Sequence, residues 1–142
     1  MRIITYFIAA VASLIFSGCA TDPTSLAEAR QIAARRVFRI PTASHRDRAA
    51  QVTIVRDSGA MGSAISTALR MNGRPIASFR VRESLTFSLD PGDYVFGLEP
   101  SLKLGAGLKE YSLTAKAGEH YFYRISVTNE GFFLQRSYEI NR

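Results

Sequence analysis

From Gln51 to Ile140 the chain is a succession of short apolar runs, each cut off by turn residues, and this restricts it to an all-β fold. A period of two marks a strand with one buried face. Ile65, Thr67, Leu69 and Met71 alternate with Ala64, Ser66, Ala68 and Arg70, and Leu85, Phe87 and Leu89 alternate with Ser84, Thr86 and Ser88. Val52, Ile54 and Val55 make a β-branched first strand. Ile76 to Phe79, Tyr94 to Leu98, Tyr111 to Ala115, Tyr121 to Val127 and Phe132 to Ile140 supply the rest. Between them Asn72-Gly73 is a hairpin signal, because both residues accept positive φ. Asp90-Pro91-Gly92-Asp93 combines a preset φ with a glycine and is expected to turn the chain back. Lys116 to Glu119 and Thr128 to Gly131 are further turns. No helical stretch separates the runs, and parallel neighbours need crossovers of a dozen residues or more, so antiparallel connections are expected. The expected fold is mainly β: an antiparallel β-sandwich of about seven to eight strands, with a closed small barrel as the structural alternative.

The first eighteen residues have a different design. Arg2 precedes an apolar stretch, Ile3 to Ile15, that contains no acid, and Leu14-Ile15-Phe16-Ser17-Gly18-Cys19 ends on the only cysteine in the chain. The stretch falls short of the roughly 20 residues that span a bilayer. A charged start, an apolar middle and a small-residue exit are the parts of a cleaved secretory signal. The run resembles the signal of bacterial lipoproteins, with Phe16 standing where Leu, Ala or Val is commoner. That resemblance implies lipidation of Cys19 and removal of residues 1–18. It also implies a location in the cell envelope, with Ala20 pointing to the outer membrane. Several acyl chains would make the attachment effectively permanent, since a single chain holds only marginally.

Residues 19–50 are read as a lipidated tether with a short helix and a basic linker, and residues 51–142 as the β domain. Ser25 and Glu28 have capping-box spacing, and Leu26, Ala29, Ile32 and Ala33 recur near helical period, so a helix is expected from about Ser25 to Arg35. Val37 to Ile40 is expected as a brief extended piece before Pro41, and 42–49 as a polar loop. Arg30, Arg35, Arg36, Arg39, Arg46, Arg48 and Arg56 crowd into a segment with one acid, Asp47, whereas charges beyond Asp57 nearly balance. The first six of these arginines are candidates for contact with an anionic surface, where each charge can contribute about 1 kcal/mol. A solvated, arginine-rich linker is the plainer reading. A lipid anchor outside the cytoplasm excludes nucleic acid as a partner.

Little in the chain points to catalysis. The two histidines, His45 and His120, have no second histidine or cysteine at ligand spacing, so no metal and no cofactor is expected. There is no Gly-x-Ser-x-Gly elbow. Gly105-Ala106-Gly107 lacks the third glycine and the context of a dinucleotide site. Asp90 and Asp93 flank one turn and are turn residues first. Tyr94, Tyr111, Tyr121, Tyr123 and Tyr138 could form a sugar-binding platform, although their strand positions favour the core for most of them.

Four segments carry a family likeness: Val52-Thr53-Ile54-Val55-Arg56-Asp57, Met71-Asn72-Gly73-Arg74-Pro75-Ile76-Ala77, Leu89-Asp90-Pro91-Gly92-Asp93-Tyr94, and Lys116 through Ile125. In this order behind the cysteine motif, the chain from Gln51 to Tyr138 resembles bacterial lipoproteins whose soluble part is a small PEGA-like β-sandwich. The resemblance implies an envelope accessory domain and brings no catalytic residues with it. The expected function is therefore non-enzymatic: an accessory or binding module for another envelope component, protein or polysaccharide. The alternatives are an envelope hydrolase or enzyme inhibitor, using loops around 99–109 with His120, and a purely structural role for the arginine arm at the membrane surface.

Overall fold

In the computed structural model, residues 21–102 and 107–138 are described. The period-two runs become strands β2 (Ala50–Arg56), β3 (Thr67–Met71), β4 (Arg74–Phe79), β5 (Glu83–Leu89), β6 (Gly92–Pro100), β7 (Lys109–Ala115), β8 (His120–Thr128) and β9 (Gly131–Arg136), and a short β1 (Arg30–Gln31) precedes them where a helix was expected. They build a five-stranded sheet, β1-β5-β2-β8-β9, and a four-stranded sheet, β4-β3-β6-β7. The core lies between the two. Val52, Ile54, Phe87, Leu89, Tyr121, Tyr123 and Ile125 of the first sheet meet Leu69, Ile76, Phe79, Phe96, Leu98 and Leu113 of the second. Phe96 packs edge-on against Phe87 and Tyr123, with ring centroids 6.2 and 6.0 Å away, the arrangement that aromatic quadrupoles favour. The mainly β sandwich is thus the observed architecture.

Local turn chemistry is realised where it was strongest. Asn72 and Gly73 take φ of 48° and 77°, and Met71 pairs directly with Arg74 across this two-residue turn. The turn at Asp90 behaves differently from expectation. It does not fold β6 back beside β5 but carries the chain across the core, since β5 belongs to one sheet and β6 to the other. The Tyr94 hydroxyl donates to the Asp90 carbonyl (2.9 Å) and braces this crossing.

Two pairings are parallel rather than antiparallel. β2 runs parallel to β8, with Val52 beside Tyr121 and Ile54 beside Tyr123, and β1 runs parallel to β5. The crossover from β2 to β8 is not a helix but the entire four-stranded sheet together with β5. That satisfies the length a parallel connection needs.

The larger correction concerns residues 21–50. The expected α-helix from Ser25 to Arg35 does not form; the helical piece there is a single 3-10 turn, Ala34–Arg36. The capping pair does form, with the Ser25 backbone N–H donating to Glu28 Oε2 (3.1 Å) and the Glu28 N–H to Ser25 Oγ (3.3 Å). It closes only one turn, after which the chain runs extended through β1 as far as the 3-10 turn. The Arg30 N–H donates to the Arg82 carbonyl (2.8 Å) and the Ile32 N–H to that of Ser84 (3.1 Å). The unpaired edge of β5 offers acceptors along a strand, and Ile32 gains a place in the core. Tertiary pairing outweighs a weak helical preference.

Nor is the segment a free linker. Asp22 bridges to Ser58 and Val37 to Ala77, the Phe38 N–H donates to the Ile76 carbonyl (2.9 Å), and the Asp90 carboxylate accepts from the Ser44 N–H (3.0 Å). These residues form a strap that starts beside Asp57 and Ser58 at the end of β2 and then closes the side of the sandwich between the β5 and β4 edges. Thr53 and Val55, on the outward face of β2, are buried too, with Thr53 held between the side chains of Thr86 and His120 on the flanking strands. A strand covered on both faces reads as a continuous apolar run.

Candidate functional site

The strap seals one side of the sandwich and leaves the other open. The free edges there are β7 of the four-stranded sheet and β9 of the five-stranded sheet. Between them lies a hollow of about 470 Å³, lined by Tyr111, Leu113, Tyr121, Tyr123, Leu134 and Arg136 with polar residues at its rim. The placement follows from strand periodicity. Tyr111 and Leu113 are two apart on β7, Tyr121 and Tyr123 two apart on β8, and Leu134 and Arg136 two apart on β9. Each pair therefore projects to one face.

Hydrogen bonds fix the groove walls. The Tyr121 hydroxyl donates to the Thr114 carbonyl (3.2 Å) and accepts from the Lys116 N–H (3.0 Å), so the phenol ties β8 to the end of β7. The Arg136 guanidinium lies 4.9 Å from the centre of the Tyr121 ring and 5.4 Å from that of Tyr138, within cation–π range. Burial pushes the Tyr123 phenol above its ordinary pKa, against the opposing pull of Arg136. Lys116 and Glu119 complete the polar rim. The result is an open, partly aromatic hollow with an arginine and mixed polar groups at its rim, the kind of concave site at which ligands bind.

Of the five tyrosines considered from sequence, three meet in this groove and Tyr138 borders it through Arg136. Tyr94 does not join them; it braces the β5–β6 crossing. Tyr121 and Tyr123 are buried, as their strand positions implied, and form the inner wall of the groove, whereas Tyr111 is half-buried at its opening. Sequence reasoning missed Arg136 altogether. Its signal was the polar residue two positions beyond Leu134, which marks where the inward face of β9 leaves the core.

His120 lies apart from the loop region with which it was paired as an alternative catalytic site. It opens β8 beside Gln51 of β2, whereas Pro100 and Leu102 line a hollow with Val127 and Thr128 at the other end of β8. At about 3.3 Å per residue, the length of that strand keeps them more than 20 Å apart. His120 instead stacks on Phe122 with centroids 3.9 Å apart, and its Nε2 is 2.9 Å from Thr53 Oγ1. Burial lowers its pKa below the ordinary histidine value. Gly105 and Ala106 lie outside the described residues, as do Cys19 and the signal stretch. Among the described residues, no three of His, Cys, Asp and Glu converge on a point.

The arginines separate into distinct roles. Arg56 is fully buried at the inner end of β2, where Nη1 donates to the Phe79 carbonyl (2.8 Å) and Nη2 to that of Gly62 (2.7 Å). Its guanidinium lies 5.2 Å from the Phe132 ring centre, and burial pulls its pKa down to about 10. Arg36 is withdrawn from any surface role. It makes a two-pronged ion pair with Glu83 and donates to the Ser78 carbonyl (2.9 Å). Burial works to raise the Glu83 pKa, but the bonds from Arg36 and the Arg80 N–H outweigh it and hold the carboxyl below its usual range. Arg30, Arg35, Arg39, Arg46 and Arg48 are exposed along the strap. Neither the protein-family models nor the curated proteins include a match to this chain, so the assignment of chemistry rests on the groove and the strap themselves.

Proposed function

We propose that the protein is a lipid-anchored, non-enzymatic binding module of the bacterial cell envelope. In this reading Cys19 holds it to the outer membrane facing the periplasm, and the tyrosine groove takes an envelope polysaccharide. The observation that carries the binding part is the asymmetry of the sandwich. One side is closed by the strap, while on the other Tyr111 and Arg136 border an open trough whose inner wall is Tyr121 and Tyr123. Flat aromatic rings with arginine and hydroxyl groups beside them suit a sugar chain, whose ring faces are apolar and whose edges form hydrogen bonds. The lipoprotein-like signal ending at Cys19 supports the localisation, as does the resemblance to PEGA-like envelope lipoproteins.

Two measurements test this. Mass spectrometry of the mature N-terminus is expected to find a diacylglyceryl-modified Cys19, and Cys19→Ser to leave an unprocessed, unlipidated precursor. An unmodified thiol or another start site rejects the anchor. For the groove, residues 20–142 are mixed with purified peptidoglycan and sedimented. Tyr111→Ser, at a half-buried position, and Arg136→Ser, at an exposed one, are each expected to lower retention about tenfold, the loss of roughly 1.4 kcal/mol of binding, with a thermal melt matching the parent's confirming that each is folded. Retention unaffected by either change, or absent at every salt concentration, rejects the groove as the binding site.

A further inference from the structure

The strap has a surface that neither folding nor the tyrosine groove uses. Phe38 and Ile40 are 58 % and 51 % exposed, among the few large apolar side chains left in water. Their neighbours along the strap are Arg35, Arg39, Arg46 and Arg48, all exposed, with Asp47 as the one acid among them. Among the described residues the salt bridges are those of Arg36, Arg70 and Arg124, so these four cations have no carboxylate partner. Ile40 and Arg46 also flank one shallow hollow with Pro41, floored by Thr86 and Ser88 of β5.

We infer that the strap face, Phe38 and Ile40 set among Arg35, Arg39, Arg46 and Arg48, is a docking surface for an anionic phospholipid bilayer. Large apolar side chains surrounded by basic ones are the composition of segments that lie in the membrane interface. There the apolar groups enter the acyl boundary and the cations meet lipid phosphates. Four like charges with no internal partner are complementary to a negative surface, and arginine pairs with phosphate through two parallel hydrogen bonds. The patch is also pre-organised. Val37 is bridged to Ala77, the Phe38 and Arg39 N–H groups both donate to the Ile76 carbonyl (2.9 and 3.2 Å), and Asp90 holds the loop at Ser44. Little ordering remains to oppose association.

The topology gives this contact a consequence. The strap closes the side of the sandwich at the β5 and β4 edges, and the groove opens at the β9 and β7 edges on the other side. A domain resting on its strap turns the tyrosine groove away from the lipid and toward the envelope space. A lipid chain on Cys19 restrains position but not orientation. The strap supplies orientation, and it does so whether or not Cys19 is acylated.

Vesicle sedimentation of residues 20–142, which contain the whole sandwich, decides it. The parent chain is expected to bind vesicles of phosphatidylcholine mixed with phosphatidylglycerol and not vesicles of phosphatidylcholine alone, with binding that weakens as salt rises. Phe38→Ser/Ile40→Ser and Arg35→Ser/Arg39→Ser should each reduce the partition coefficient about tenfold or more. All four side chains are exposed, and a thermal melt matching the parent's confirms that each variant is folded. Binding to neither vesicle, equal binding to both, or variants that bind like the parent would each overturn the inference. An unmodified Cys19 would leave this result standing, and a failed vesicle experiment would leave lipidation standing.

Discussion

Arg56→Ala is expected to destabilise the domain by about 3–5 kcal/mol, lowering the melting temperature by more than about 10 °C. Arg56 sits where an apolar residue would be ordinary, on the core side of β2 and without solvent contact. Removing the guanidinium opens a cavity beside Phe132, takes a charged donor from the Phe79 carbonyl and leaves the Gly62 carbonyl with only the Ile65 N–H (3.0 Å). A buried carbonyl stripped of its donor loses a charge-assisted bond and keeps its desolvation cost. Arg56→Met separates the two contributions. It refills most of the volume and also removes the penalty of holding a cation out of water, so it should cost about 1–3 kcal/mol. Chemical denaturation of both variants reads these values. Arg56→Ala within about 1 kcal/mol of the parent would mean the carbonyls find other donors.

Asp57→Ala should be nearly as damaging, at about 3 kcal/mol, and its damage should begin in the strap. The Asp57 carboxylate is buried and accepts from the Thr24 N–H (3.0 Å) and from Arg124 Nη1 (2.6 Å), which also donates to the Thr24 carbonyl (3.2 Å). This triad pins the start of the strap to β2 and β8. Without the carboxylate, Arg124 is left mostly buried with no counter-charge. Breaking one member of a buried pair costs more than the pair contributes. Asp57→Ala/Arg124→Met is therefore expected to recover about half of the loss, because it removes the stranded charge as well. Hydrogen exchange should show Thr24 to Ile32 losing protection before the core strands do. Uniform loss of protection across the sandwich would contradict a local role for the triad.

Both predictions involve residues that look unremarkable in the sequence. Arg56 reads as one more base in an arginine-rich stretch, and Asp57 as the residue beyond which the charges nearly balance. The strand beneath them was legible, because Val52 and Ile54 follow a local period and a buried face leaves its mark on every second residue. What cannot be read is that Arg56 shares that inward face. An arginine is buried only when acceptors converge on it, and these come from the Phe79 end of β4 and from Gly62. Both are set by how the chain returns.

The same division runs through the rest of the molecule. Asn72-Gly73 specified its own hairpin, since the φ angles that two-residue turn needs are available to those two residues whatever surrounds them. The Ser25–Glu28 capping pair also formed, as side chains three residues apart allow. Yet the helix it announced did not continue, because the open edge of β5 offered Arg30 and Ile32 a better arrangement.

Strands, turns and the mainly β character were thus settled by the sequence alone, because each depends on residues within a few positions of one another. The tertiary structure decided the parallel seating of β2 beside β8, the crossing at Asp90, the strap, and the meeting of three tyrosines with Arg136 at an open edge. Those features join residues far apart along the chain. Their energies come from pairing edges and burying faces that exist only once the two sheets have come together.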